Sequence, residues 1–179
     1  VGKEALQIAR RQNNLAEIKL LLNSLALSHT LKAEYDKALK YNFESLIIRE
    51  AEGNKADISI ALNNIGLIYY KLLDYNKSIE YYMKSLELKK SVNDTHDLDR
   101  LLINIGLCYN YLTNYNEAKK YFDEGLSVCK DGCSNQIKLE SQIGLGISYF
   151  GMQNYEEAVT HFQQSFEVAK MIGNARYQA

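Results

Sequence analysis

The chain has 179 residues, 46% of them hydrophobic, and its 21 basic and 22 acidic side chains leave a formal charge of -1. That balance argues against a phosphate-binding surface, which needs clustered positive charge, and no stretch approaches the roughly 20 apolar residues of a membrane-spanning helix. Proline and tryptophan are absent, and a chain this long without proline is expected to be helical.

The first residues, "KEALQIARR", already have the rhythm of a helix interior, and no charged-then-apolar signal segment precedes them. "EALQIARRQNN" (4–14) aligns with "ESLIIREAEGN" (44–54) at a shift of forty residues, so 1–13 read as the second helix of a preceding unit in a longer protein. Four two-helix units follow, at 14–53, 54–93, 94–133 and 134–173, and 174–179 read as the start of another. In the second unit Ile58, Leu62, Ile65, Tyr69 and Leu72 step by three and four, the spacing of one helical face. After "LLD" the rhythm restarts with Tyr75, Ile79, Tyr82, Met83 and Leu86. Asp74, Asn114 and Asn154 stand where an N-cap would accept from the first free backbone N–H groups, and Glu34 is a poorer cap in the first unit. "EGN" (52–54), "VND" (92–94) and "IGN" (172–174) read as helix stops, because Gly and Asn tolerate the left-handed conformation.

Laid over itself at that shift, the chain stays in register without insertion or deletion. Tyr35, Tyr75, Tyr115 and Tyr155 align, as do the small residues Ala38, Ser78, Ala118 and Ala158. Ala26, Gly66, Gly106 and Gly146 align within the first helices. A mid-helix glycine costs roughly 1 kcal/mol against alanine, so a close contact is expected to offset it, with Tyr82, Phe122 and Phe162 packed against the missing side chains. The first unit departs from the pattern, with His29 and Asn42 where aromatics are expected.

Little in the chain points to catalysis. His29 and His161 replace tyrosines of sister units and read as structural. "NDTHDLD" (93–99) gathers acids around His96 but lacks a calcium-loop pattern, and reads as a helix cap with a solvated first turn. Cys129 and Cys133 read as two separate thiols at a helix end, with a local disulfide or half a metal site as the alternatives. No phosphate loop, nucleophile elbow or metal-spaced His pair is present. The expectation is a non-enzyme without cofactor or metal. The 14 tyrosines fall mostly at core positions without a basic stripe, which argues against nucleic-acid stacking.

"NIG..Y" at Asn64–Tyr69 and Asn104–Tyr109, "LGISY" at Leu145–Tyr149 and the matching small and aromatic residues of the second helices resemble the tetratricopeptide repeat family. The forty-residue period exceeds the usual thirty-four or so and the inter-repeat proline is missing, as in the long-helix subgroup of kinesin light chains, Pins-type adaptors, Rap-type bacterial sensors and sensor-kinase repeat regions. The resemblance implies an all-α fold, a right-handed superhelical solenoid of antiparallel helix pairs, with the first helices on a concave wall. That wall would include Asn23, Leu27, Leu67, Ile103, Leu107, Ile143 and Ile147. Its peptide-contacting residues would be Asn63, Asn64, Tyr70, Lys71, Arg100, Asn104, Asn110, Tyr111 and Phe150. Asn64 and Asn104 would act as a short ladder of amides gripping a peptide backbone. The implied function is a protein- or peptide-binding scaffold within a larger signalling protein, with no nucleic-acid or membrane partner and a cytoplasmic location. The alternative is a sensory domain for a small ligand or peptide pheromone that controls a kinase or DNA-binding output. Asn23 and Leu27, then Ile143 and Ile147, occupy the places of a carboxylate clamp, so capture of a terminal carboxylate is not expected. Uncapped ends are expected to favour self-association.

Overall fold

Nine helices form among the described residues: α1 (Gly2–Arg11), α2 (Leu15–Leu31), α3 (Tyr35–Glu52), α4 (Lys55–Lys71), α5 (Tyr75–Ser91), α6 (Leu98–Tyr111), α7 (Tyr115–Cys129), α8 (Asn135–Gly151) and α9 (Tyr155–Tyr177). The computed structural model describes residues 2–129 and 132–177, of which 174–177 as backbone alone, and no strand occurs among them. The chain divides into two compact units, Val1–Asn93 with α1 to α5 and Asp94–Ala179 with α6 to α9.

In the first unit each helix packs on the next. Leu6 and Ala9 of α1 meet Ile18 and Leu22 of α2 in one cluster. Leu46 of α3 joins Ala61, Leu62 and Ile65 of α4 in another. In the second unit α7 packs between its neighbours, and Ile103, Ala118, Phe122, Ile137 and Leu145 make the core. The small residues let backbones approach. Ser78 Oγ donates to the Gly66 carbonyl at 2.9 Å and Ser85 Oγ to the Ser59 carbonyl at 2.7 Å, each hydroxyl joining α5 to α4.

The helix ends follow the sequence in part. Asp74 Oδ1 accepts from the Lys77 N–H at 3.1 Å, while Glu34 makes no side-chain cap. Gly53 ends α3 at φ 75. Within the hairpins the turns fall on Ala33, Leu73, Thr113 and Gln153, all left-handed at φ 56 to 64, although none is a residue that favours that region. The hairpin contacts over-determine the turn and hold these residues there.

Four expectations need correction. The stop at 172–174 does not occur: α9 runs on to Tyr177, since the roughly 1 kcal/mol against a helical glycine is small beside continued backbone hydrogen bonding. Of the expected following helix, residues 178 and 179 lie outside the described residues. Helix α6 starts only at Leu98, because Asp97 takes a left-handed φ of 52 and gives no side-chain cap. Leu72 and Met83 are exposed rather than on the buried face, the first at a helix end and the second on the outer side of α5. Cys129 and Cys133 are joined as a disulfide across Cα atoms 4.9 Å apart, a separation within the usual range of about 4.4–6.8 Å. Lys130 and Asp131 of that turn lie outside the described residues.

Each hairpin carries one nearly parallel ring pair: His29 on Tyr41, Tyr69 on Tyr81, Tyr109 on Tyr121 and Tyr149 on His161, with centroids 5.4, 5.4, 5.5 and 5.1 Å apart. The two histidines are thus members of a stack, as their register implied. His161 Nδ1 also meets Gln142 Oε1 at 2.6 Å. Burial holds the His161 pKa below its ordinary 6.5, with Asp123 opposing and Lys119 assisting. The folded chain therefore binds this proton less readily than the unfolded chain. The stability linked to His161 is complete above the unfolded value and declines as pH falls through it. Acidification from about pH 7 to about pH 5 is expected to lower the melting temperature. His161→Tyr, which copies Tyr81 and Tyr121, should flatten that part of the profile in thermal melts followed by circular dichroism.

Candidate functional site

The first helices of the hairpins are α2 and α4 in one unit and α6 and α8 in the other. Their core face is fixed by Leu22, Ile65, Ile105 and Leu145, which are buried. Helical periodicity then turns the residues one or two places away toward the surface.

On α2 and α4 these include Leu27, which is 60% exposed, and the half-buried Asn64 and Leu67. Tyr70 stands edge-on to Tyr75 at 5.7 Å, and the Lys71 ammonium lies 5.8 Å from the Tyr70 centroid, within cation–π range. Asn63 is half-buried, and its Oδ1 is buried without a hydrogen-bond partner. Between α2 and α4 lies a cavity of about 200 Å³. Asn23, Ala26 and Leu27 line it from α2, Asn64 and Leu67 from α4, and Asn42 from α3, with Thr30 and Ile68 completing it.

On α6 and α8, Arg100 is exposed and Asn104 and Leu107 are half-buried. Tyr111 is 57% and Phe150 61% exposed, and Ile143 and Ile147 also face solvent. Phe150 meets Tyr155 edge-on at 5.5 Å. Two residues leave the expected surface. Ile103 is wholly buried in the core. Asn110 is also buried; its Nδ2 donates to the Gly144 carbonyl at 2.8 Å and its Oδ1 accepts from Ser148 Oγ at 2.8 Å. Its amide is used in tying α6 to α8 and is not available to a ligand.

Asn42 lines the cavity, a placement that the sequence alone does not give. The signal was present, since Asn42 stands in register with Tyr82, Phe122 and Phe162. In the sequence, an amide in place of an aromatic looks only like degeneracy of the repeat.

In each unit the first helices set amides and aromatic rings among exposed aliphatic side chains. Burial pushes the Tyr81, Tyr109 and Tyr121 hydroxyls above their ordinary pKa. Among the described residues no group of three or more His, Cys, Asp or Glu side chains is placed to hold a metal ion. Among them no helix is long and apolar enough to cross a membrane.

Two-helix units in constant register, closed by ring stacks and by glycine–aromatic contacts, define an all-α helical-repeat scaffold. The tetratricopeptide repeat model matches residues 17–91, 57–131 and 97–171, and the chain belongs to that family. Its fold resembles that of BtubC (BKLC) from P. vanneervenii, with a TM-score of 0.84 at 17% identity over 96% of this chain and 72% of that one. The apo form of RapI aligns with a TM-score of 0.80 at 18% identity, over 97% of this chain and 70% of that one. A signal-transduction ATPase with numerous domains and a tetratricopeptide repeat sensor, from Pyrococcus horikoshii, aligns with a TM-score of 0.81 at 18% identity. There the match covers 99% of this chain but 28% of the other. No curated protein matches in sequence.

Proposed function

We propose that the chain is a protein- or peptide-binding segment of a larger signalling or regulatory protein, and that its first helices hold an extended peptide. The observation that carries this reading is the pairing of half-buried amides with large exposed apolar side chains on those helices: Asn64 near Leu27, and Asn104 on the same helix as Tyr111. An asparagine amide supplies both donor and acceptor for a peptide backbone. Tyr70, Lys71, Arg100, Tyr111 and Phe150 supply side-chain selectivity, and Tyr and Arg are the types enriched at binding hot spots. Asn63 contributes through packing, since its carbonyl oxygen is buried.

Asn64→Ala combined with Asn104→Ala is expected to weaken a peptide selected from a displayed random library about tenfold or more. That corresponds to two hydrogen bonds of about 0.5–1.5 kcal/mol each. Unchanged affinity in isothermal titration would remove the groove from this reading.

A second reading is a sensory input domain for a small ligand or short peptide. It is favoured by the cavity beside Asn64 and by the neighbour whose repeat region is described as a sensor. Ligand-induced compaction in small-angle scattering separates the two, because a scaffold that grips an extended peptide keeps its dimensions.

A further inference from the structure

The first unit carries a second concave feature, on the side of its second helices. Helix α4 packs on both α3 and α5, and α3 meets α5 edge-on through Phe43 and Tyr81, with ring centroids 6.0 Å apart. Beside that contact lies an open groove of about 580 Å³. Its apolar lining is Phe43 and Leu46 from α3, Ile58 and Leu62 from α4, and Tyr81 and Leu88 from α5. Phe43, Ile58, Tyr81 and Leu88 are only half-buried, so ring and aliphatic surface stays in contact with water there. The Tyr81 ring also stacks on Tyr69 at 5.4 Å, which fixes that wall before any partner arrives.

Stacking of the repeats does not demand this lining. The starts of α3, α4 and α5 at Tyr35, Lys55 and Tyr75 recur at Tyr115, Asn135 and Tyr155, two steps of the forty-residue register away. There Asp123, Lys138 and Gln142 stand in the places of Phe43, Ile58 and Leu62. Gln142 is engaged by His161, the counterpart of Tyr81, at 2.6 Å. The second unit thus keeps the same helix pairs with polar side chains at these places, and the apolar ones of the first unit need another reason. The groove also faces away from the first-helix wall, since Leu62 lies about 160° from Asn64 around α4.

Three charged residues line the groove: Glu50 of α3, and Lys84 and Glu87 of α5. Lys84 is already answered, with its Nζ 2.6 Å from Glu80 Oε1 and 5.1 Å over the Tyr81 ring. Glu50 and Glu87 are exposed and form no ion pair with another described residue. The lining is left with an apolar floor and two unanswered carboxylates. We infer that this groove docks a basic amphipathic helix of a partner protein. Its leucine- or phenylalanine-type side chains lie on the floor, and its arginines or lysines meet Glu50 and Glu87. A helix presents apolar side chains at i, i+4 and i+7 to such a groove, and a guanidinium can take a carboxylate with two parallel hydrogen bonds. An acidic helix would bring like charges together. The inference is independent of the peptide reading for the first helices and stands if that reading fails.

The test is fluorescence anisotropy on the 179-residue chain with a labelled, alanine-rich helical peptide of about 16 residues. The peptide carries leucines at i, i+4 and i+7 with arginines beside them. Its controls are the same peptide with glutamate for arginine, and a scrambled peptide of identical composition. The basic helix is expected to bind saturably with a Kd of about 10–100 µM, and both controls at least about tenfold more weakly. Glu50→Lys with Glu87→Lys should weaken the basic helix about tenfold or more, as should Ile58→Lys, which copies Lys138. Circular dichroism checks that the variants are folded, and the exposed carboxylate pair decides the matter if Ile58→Lys is not. Asn64→Ala with Asn104→Ala should leave this affinity unchanged. Equal binding of either control, indifference to Glu50→Lys with Glu87→Lys, or loss of binding on the asparagine substitutions overturns the proposal.

Discussion

Gly144→Ala is expected to destabilise the second unit by about 2–3 kcal/mol, the upper part of the range for overpacking a filled core. The added methyl would sit 2.2 Å from Cζ of Phe122 and within 2.6 Å of two further ring atoms. Phe122 cannot swing aside freely, since it is wholly buried and its ring also meets Gly106. Nor can α8 slide away freely, because Asn110 ties it to α6 through the Gly144 carbonyl itself. On helix propensity alone the substitution would stabilise by roughly 1 kcal/mol, so the sign of the measured change decides between propensity and packing. A fall in melting temperature of about 5–10 °C is expected. Phe122→Leu in the same background should recover part of the loss, and the double-mutant cycle should show a coupling above about 1 kcal/mol. A Gly144→Ala protein as stable as the parent would mean that the ring does not fill the gap between α6 and α8.

The same contact shows what the sequence discloses and what it withholds. Gly66, Gly106 and Gly146 were legible as close-approach positions because a mid-helix glycine recurs at a fixed spacing opposite an aromatic, and each meets the expected ring of Tyr82, Phe122 or Phe162. Gly144 was not, since its register partners are Ser24, Asn64 and Asn104, and nothing in one chain reveals that a ring from a neighbouring hairpin will lie on it. Asn110 was misassigned for the same reason. It follows Asn104 by six residues and precedes Tyr111 by one, about 120° and 100° away from them around the helix, and the hydrogen bonds to Gly144 and Ser148 show that this rotation turns it onto α8. The left-handed residues Ala33, Leu73, Thr113 and Gln153 carry no turn chemistry at all. They are held by the packing of the helices they join, a tertiary effect that overrides local preference.

A second substitution separates packing from charge in the first unit. Arg49→Ala is expected to cost about 2–3 kcal/mol, whereas Arg49→Met should cost less than about 1 kcal/mol. Arg49 lies in α3 with its side chain 8% exposed. Its Nε donates to Ser45 Oγ at 3.1 Å, and Nη1 donates to the Asp57 carbonyl at 3.3 Å and lies 3.6 Å from the Asp57 carboxylate. The ionic part of this contact is small. Asp57 is partly exposed and already lies 3.6 Å from Lys19, which also pairs with Glu52, so losing the guanidinium does not strand the carboxylate. Screening by solvent reduces it further. The larger loss in Arg49→Ala is the buried stem, whose removal leaves a void between α3 and the first turn of α4. Methionine refills that void without a charge to desolvate. The register agrees in that no charge is required, since the equivalent positions hold Ala9, Lys89, Cys129 and Ala169. Chemical denaturation of the two variants gives the comparison directly. Equal destabilisation by alanine and methionine would make the charge network, rather than the stem, what joins α3 to α4.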